Sequence, residues 1–302
     1  MTETTTPGPR GRRLLPGQSC RVHVSTADRD DVVFATSERL YEAPNWAPDG
    51  HLVLNGDGML WELALDGTPK PRRLDTQGLP AVNNDHLLSP DGATIYASAD
   101  DGHIYAVPRA GGRARRITHD DGRLHFLHGV DPTGRRLAYV AIDLAEPVAW
   151  IGHVRVVGVD GTGDHALTEP GARHDDGPEY SPDGEWVLFN TERFTTAAGH
   201  AQLARVRGDG TGLERLADTD LVDWFPHVAP DGRRGVYLSF PLGTLGHPEN
   251  LPVRLNLVDL PDWQHPWRTI DLFGGQGTIN VNSWAPDSTA FAWVDYPLDQ
   301  AR

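Results

Sequence analysis

The chain has 302 residues, 42 acidic against 27 basic, and a formal net charge of −15, a surface that repels phosphate backbones and anionic lipid and so argues against nucleic-acid and membrane partners. No run of about 20 apolar residues exists, so no transmembrane helix is expected, and Cys20 is the single cysteine, so no internal disulfide forms. The length exceeds one ordinary core of about 100–200 residues, which leaves two domains, a barrel or a repeat array.

Residues 1–17 hold Arg10, Arg12 and Arg13, followed only by Leu14 and Leu15 before Pro16. An export signal needs about 7–15 apolar residues in a row, so a disordered tail and a cytoplasmic location are expected. Residues 18–302 read as one domain. Its first strand is 20–25 (CRVHVS); a turn at 28–31 and a second strand at 32–36 follow.

From there one pattern recurs six times. A turn of Pro-Asp-Gly type is centred on Pro48, Pro90, Pro132, Pro182, Pro230 and Pro286, spaced 42, 42, 50, 48 and 56 residues apart. Each is followed by a short β-branched and aromatic run: HLVLN at 51–55, TIYAS at 94–98, RLAYVA at 136–141, WVLFN at 186–190, GVYLS at 235–239 and AFAWV at 290–294. A hairpin signal comes next in each of the first five units. It is Asp66-Gly67-Thr68, Ala110-Gly111-Gly112, Asp160-Gly161-Thr162, Gly208-Asp209-Gly210 and, more loosely, the stretch near Pro261-Asp262. Four antiparallel strands per about 40–45 residues predict a propeller blade. The sixth unit has only its first two strands, so the two N-terminal strands are expected to complete it and close the ring.

These units, with Trp46, Tyr180 and Trp284 just before their turns, resemble the PD40 repeats of TolB-like six-bladed β-propellers, over about residues 20–296. The resemblance implies an all-β propeller and a family that includes protein-binding modules, peptidase accessory domains and lyases.

Loop lengths predict a working face. The Pro-Asp-Gly and Asp-Gly turns are tight, whereas the loops at 142–150, 191–200 and 240–252 are long and share the other face with the crossovers into each innermost strand. Those crossovers are rich in Asn, Asp, Glu and His, which an apolar core would not select. Four of them carry His86, His128, Glu179 and His227, a donor set suited to Mn²⁺, Fe²⁺, Zn²⁺ or Ca²⁺. His86 and His128 lie four residues before their prolines, Glu179 and His227 three, so a bulge is needed to aim all four alike. The same residues also read as polar channel lining that holds water and ties blades together, and both readings stay open. On the long loops, Arg193, His200 and His247 are candidates for anion clamp, acid and base. Glu42, Asn45, Asn84, Asp85, Asp176, Gln276, Asn280 and Asn282 are candidates for binding substrate.

The resemblance extends to metal-dependent lyases of acidic sugars. It implies a divalent metal that acidifies a substrate C–H, with His200 or His247 as the base and Arg193 on an anionic group. The alternative is a non-catalytic propeller that binds a protein, a peptide or a sugar at the same mouth.

Overall fold

A computed structural model describes residues 12–144, 150–171 and 173–298. Among them every regular element is a β-strand. Five sheets repeat one order, innermost strand to outermost. In the first blade the order is Glu42–Trp46, Leu52–Gly56, Met59–Leu63 and Arg72–Arg73. The innermost strands of the next four are Val82–Leu88, Arg123–Val130, Asp175–Tyr180 and Val222–Val228. The outermost strands of the first four blades are only two residues long. In the fifth, the third and fourth strands, Glu249–Asp259 and Arg268–Gly275, are long.

The sixth blade closes as expected. Phe291–Asp295 pairs with Cys20–Ser25, which pairs with Asp30–Thr36, and a single bridge from Trp284 to Phe291 supplies the innermost edge. His23 stacks on Trp293 at 3.8 Å and meets Asp295 at 3.0 Å, and Arg21 pairs with the same carboxylate. The ends of the chain are thus stitched by strand pairing, a ring stack and a shared anion.

The turns follow from their residues. In the fourth blade Gly184 N–H donates to Ser181 O at 2.8 Å, and Asp183 Oδ1 accepts from Glu185 N–H at 3.0 Å. Ser181 Oγ also accepts from Trp186 N–H, which hands the chain into its next strand. Each apolar cluster lies between neighbouring blades. Val53 and Leu60 of the first pack with Ile95, Ala97 and Val107 of the second. Apolar side chains therefore hold blade to blade, and the innermost strands are left to line the axis with polar groups.

Those innermost strands are irregular. Register shifts interrupt all five, between Glu42 and Asn45, Val82 and His86, Leu127 and Gly129, Asp176 and Glu179, and Trp224 and His227. In three of them the residue before a proline is left-handed: Ala43 at φ 49°, Gly177 at 61° and Phe225 at 56°. At Gly177 a Cβ would stand 2.8 Å from Asn190 Oδ1, so glycine is required there on two counts.

Of the expected tail, residues 1–11 lie outside the described residues. Arg12 and Leu14 are packed against the propeller, Leu14 on the cluster of Cys20, Tyr41 and Tyr296.

Candidate functional site

The bulges divide the channel lining into two sets. Toward the Pro-Asp-Gly face stand Glu179, His227, Asn282 and Asn45. Glu179 Oε1 accepts from Asn282 Nδ2 at 2.6 Å and from Val228 N–H at 2.9 Å, while Oε2 takes the His227 Nδ1 contact. His227 Nε2 meets Ile279 O at 2.5 Å. Asn45 Nδ2 donates to Asn282 O at 2.7 Å, and its Oδ1 accepts from Leu88 N–H. Every carboxylate oxygen of Glu179 and both ring nitrogens of His227 are committed to neighbouring blades.

Toward the loop face lies a cleft of about 670 Å³. It is lined by Asp85, His128 and Asp176, by His174 and His247, and by the apolar Trp150, Trp224, Ile142 and Leu245; Asn83 and Gln276 add amides. His128 Nε2 reaches Asp176 Oδ1 at 3.2 Å and Asp85 Oδ1 at 4.0 Å, and its Nδ1 faces Asn280 O at 3.2 Å. Both nitrogens thus point at acceptors, the arrangement of an imidazolium. Burial opposes that charge, but the Asp85 charge and the bond to Asp176 prevail and lift His128 to about 9. Burial likewise pushes Asp176 up, yet its bonds to His128 and His174 hold it well below the carboxylate range. Asp85 is buried, eased by His128 and opposed by Asp176, and its protonation midpoint rises to about 6. Burial drops His247 to about 4, so it is neutral; it leans on Trp224 at 4.5 Å and lies 3.8 Å from Asp176 Oδ2. His174 accepts Gly152 N–H at Nδ1 and donates from Nε2 to Asp176, which sets its tautomer.

The cleft continues into an acidic recess of about 370 Å³ that shares Asn83 and Gln276 with it and holds Glu42, Asn84, Asp57, Asp100 and Glu249. Asn280 does not face the cleft; it props the last crossover by accepting from Gly277 N–H at 2.7 Å.

Three sequence expectations are corrected by this geometry. His86, His128, Glu179 and His227 do not converge as one ligand set. His86 turns to Val53 O at 3.3 Å inside the blade packing, and burial lowers it to about 4. His227 and Glu179 saturate one another on the turn face, and only His128 remains in the cleft. Among the described residues no group of three or more His, Cys, Asp or Glu side chains is arranged to hold a metal ion. Arg193 is turned from the cleft, because the buried Asp175 takes its Nε at 2.9 Å and its Nη2, which also donates to Glu169 O. His200 stays outside the cleft, tied to Thr219 O at 3.1 Å and to Gln202. His247 of the long loop and Asp85, Asp176 and Gln276 of the crossovers do line the cleft. Asn83, His174 and Trp224 lie on the polar crossovers the sequence singles out but carried no assigned role there, and sequence reasoning missed Trp150. The dipeptides Ala43-Pro44, Gly177-Pro178 and Phe225-Pro226, each just before a turn, were the available signal that the inner strands bulge there.

No protein-family model matches the chain. An uncharacterised protein of Agrobacterium fabrum, Atu1656, is 40% identical over 271 residues, covering 88% of this chain and 87% of that protein. A solved structure from Agrobacterium tumefaciens, provisionally assigned as TolB, is 37% identical with a TM-score of 0.84, covering 95% of this chain and 99% of the other. TolB from Acinetobacter baumannii is 14% identical with a TM-score of 0.57, covering 99% of this chain and 67% of that one. An oligogalacturonate lyase in complex with manganese is 15% identical with a TM-score of 0.53, covering 86% and 68%, a likeness of fold alone. With six blades, an N-terminal closure and a full-length relative well above 30% identity, the chain belongs to the TolB-like β-propeller family.

Proposed function

We propose that the protein is an acid–base enzyme of lyase or isomerase type acting on a small carbohydrate or sugar acid at the loop-face cleft. The observation that carries this reading is the Asp85–His128–Asp176 cluster, in which one carboxylate is held ionised, one sits near neutrality and the imidazole between them stays charged. Asp85 takes a proton from the carbon beside a carbonyl or carboxylate. The His128 charge, fixed by Asp176 and Asn280, favours the negative charge that develops. Trp150 suits the apolar face of a sugar ring, and Asn83 and Gln276 its hydroxyls. No step runs through a metal, because the donors proposed from the sequence are spent on other partners; manganese belongs to the distant lyase structure.

The test is turnover of a panel of uronates and aldonates followed by NMR, with wild type beside Asp85→Asn. A bell-shaped kcat/KM with limbs near pH 6 and pH 9 is expected, from Asp85 and His128 respectively. Ligands that bind without conversion point to the second reading, a binding propeller with a peptide or protein partner. The exposed Trp150, Leu242 and Leu245 on the loop face favour that one.

A further inference from the structure

We propose that the acidic recess beside the cleft is a subsite for a guanidinium group of the ligand, and that Arg12 is the chain's own displaceable occupant of it. The inference deepens the proposed function by naming a cationic moiety on the substrate.

Arg12 Nη1 donates to Glu42 Oε1 at 2.9 Å and to Gln276 O at 2.5 Å, and its Cζ lies 4.2 Å over the Tyr296 ring. Glu42 is 7% exposed, and its other oxygen accepts from Asn55 Nδ2 at 3.2 Å. The backbone makes room for this carboxylate: Gly277 has φ 87°, and a Cβ there would stand 2.5 Å from Glu42 Oε1. A buried anion, a carbonyl and an aromatic face thus converge on one planar cation.

Arg12 fits that cradle incompletely. Apart from a side-chain contact between the guanidinium and the Tyr296 hydroxyl, its Nε and Nη2 are buried with no hydrogen-bond partner among the described residues, and so is Asn55 Oδ1, on a side chain 3% exposed in the wall of the same recess. Donors and an acceptor left unmatched side by side carry a desolvation cost. A guanidinium free of the main-chain tether can turn to satisfy both. The recess opens on the cleft through Asn83 and Gln276, so one ligand spans the acid–base cluster and the cation subsite.

The experiment is calorimetric titration of methylguanidine, with methylurea as the neutral isostere, into wild type, Arg12→Ala, Arg12→Met and Arg12→Met/Glu42→Gln. Arg12→Met keeps an apolar stem over Tyr296 should the alanine variant fold poorly. Removing a tethered competitor raises apparent affinity, so either single variant is expected to bind methylguanidine at least about tenfold more tightly than wild type. Methylurea is expected not to bind, and Glu42→Gln to cancel the gain. Equal affinity in wild type and the Arg12 variants, no binding at all, or equal binding of methylurea overturns the proposal. Because the readout is binding, its failure is distinct from a failure of Asp85→Asn to alter turnover.

Discussion

Along one channel, two regions set an imidazole against a buried carboxylate. On the turn face, Glu179 and His227 bind each other and fill their remaining valences with Asn282, Val228 N–H and Ile279 O. On the loop face, Asp85 accepts from Asn83 at 2.9 Å and from the Asn280 amide and faces the His128 charge at 4.0 Å, and the cleft opens beside it. Burial and residue type are the same in both. What separates a strut from a group open to a ligand is whether partners from other blades have used every lone pair and whether a cavity adjoins.

The comparison breaks most sharply at Glu179. Glu179→Ala leaves His227, Asn282 and a backbone N–H unmatched, and a loss of about 3–5 kcal/mol is expected in urea unfolding; a loss below about 1 kcal/mol would mean the turn-face network is no strut. Asp85→Asn keeps the shape of the site and should leave stability within about 1.5 kcal/mol while turnover drops about 10²–10⁴-fold. Unchanged turnover removes Asp85 from proton transfer.

Titration sharpens the contrast further. His128 has its folded midpoint raised from 6.5 to about 9, so its stabilisation is fully present below pH 6.5 and drains away as pH rises to about 9. Tm should fall across that window, and His128→Gln should flatten the fall. His86 and His247 have theirs lowered from 6.5 to about 4; their contribution is present above pH 6.5 and lost as pH falls toward 4, with Asp85 opposing over the acid range. Smaller effects lie at the rim. Trp150, 71% exposed, should carry substrate affinity alone, so Trp150→Ala is expected to raise KM about tenfold with unchanged Tm. His200→Ala gives up one bond to Thr219 O and should leave turnover intact, with at most about 1 kcal/mol of stability lost.

The six blades, their four-strand order, the closure by N-terminal strands and the face that carries the long loops were all legible in advance. Each is written locally, in Pro-Asp-Gly turns, alternating runs and loop lengths. The ligand set was not legible, since alternation says which way a side chain points only while the register is unbroken. Each of the five inner strands breaks it, three at left-handed residues before proline, so His128 faces the cleft while His86 turns into the sheet. Arg12 was read as part of a tail because nothing beside it in the chain announces Glu42, 30 residues on.

Repetition and turn chemistry, which act over a few residues, are enough to specify a closed ring of sheets and which end carries the long loops. Which polar groups stay open to the cleft depends on partners remote in the chain, such as Asn282, 103 residues from Glu179, and Asn280, 152 residues from His128. Saturation of a polar atom is a property of its surroundings in space, so only the folded ring settles which histidines and carboxylates are struts and which face the cleft.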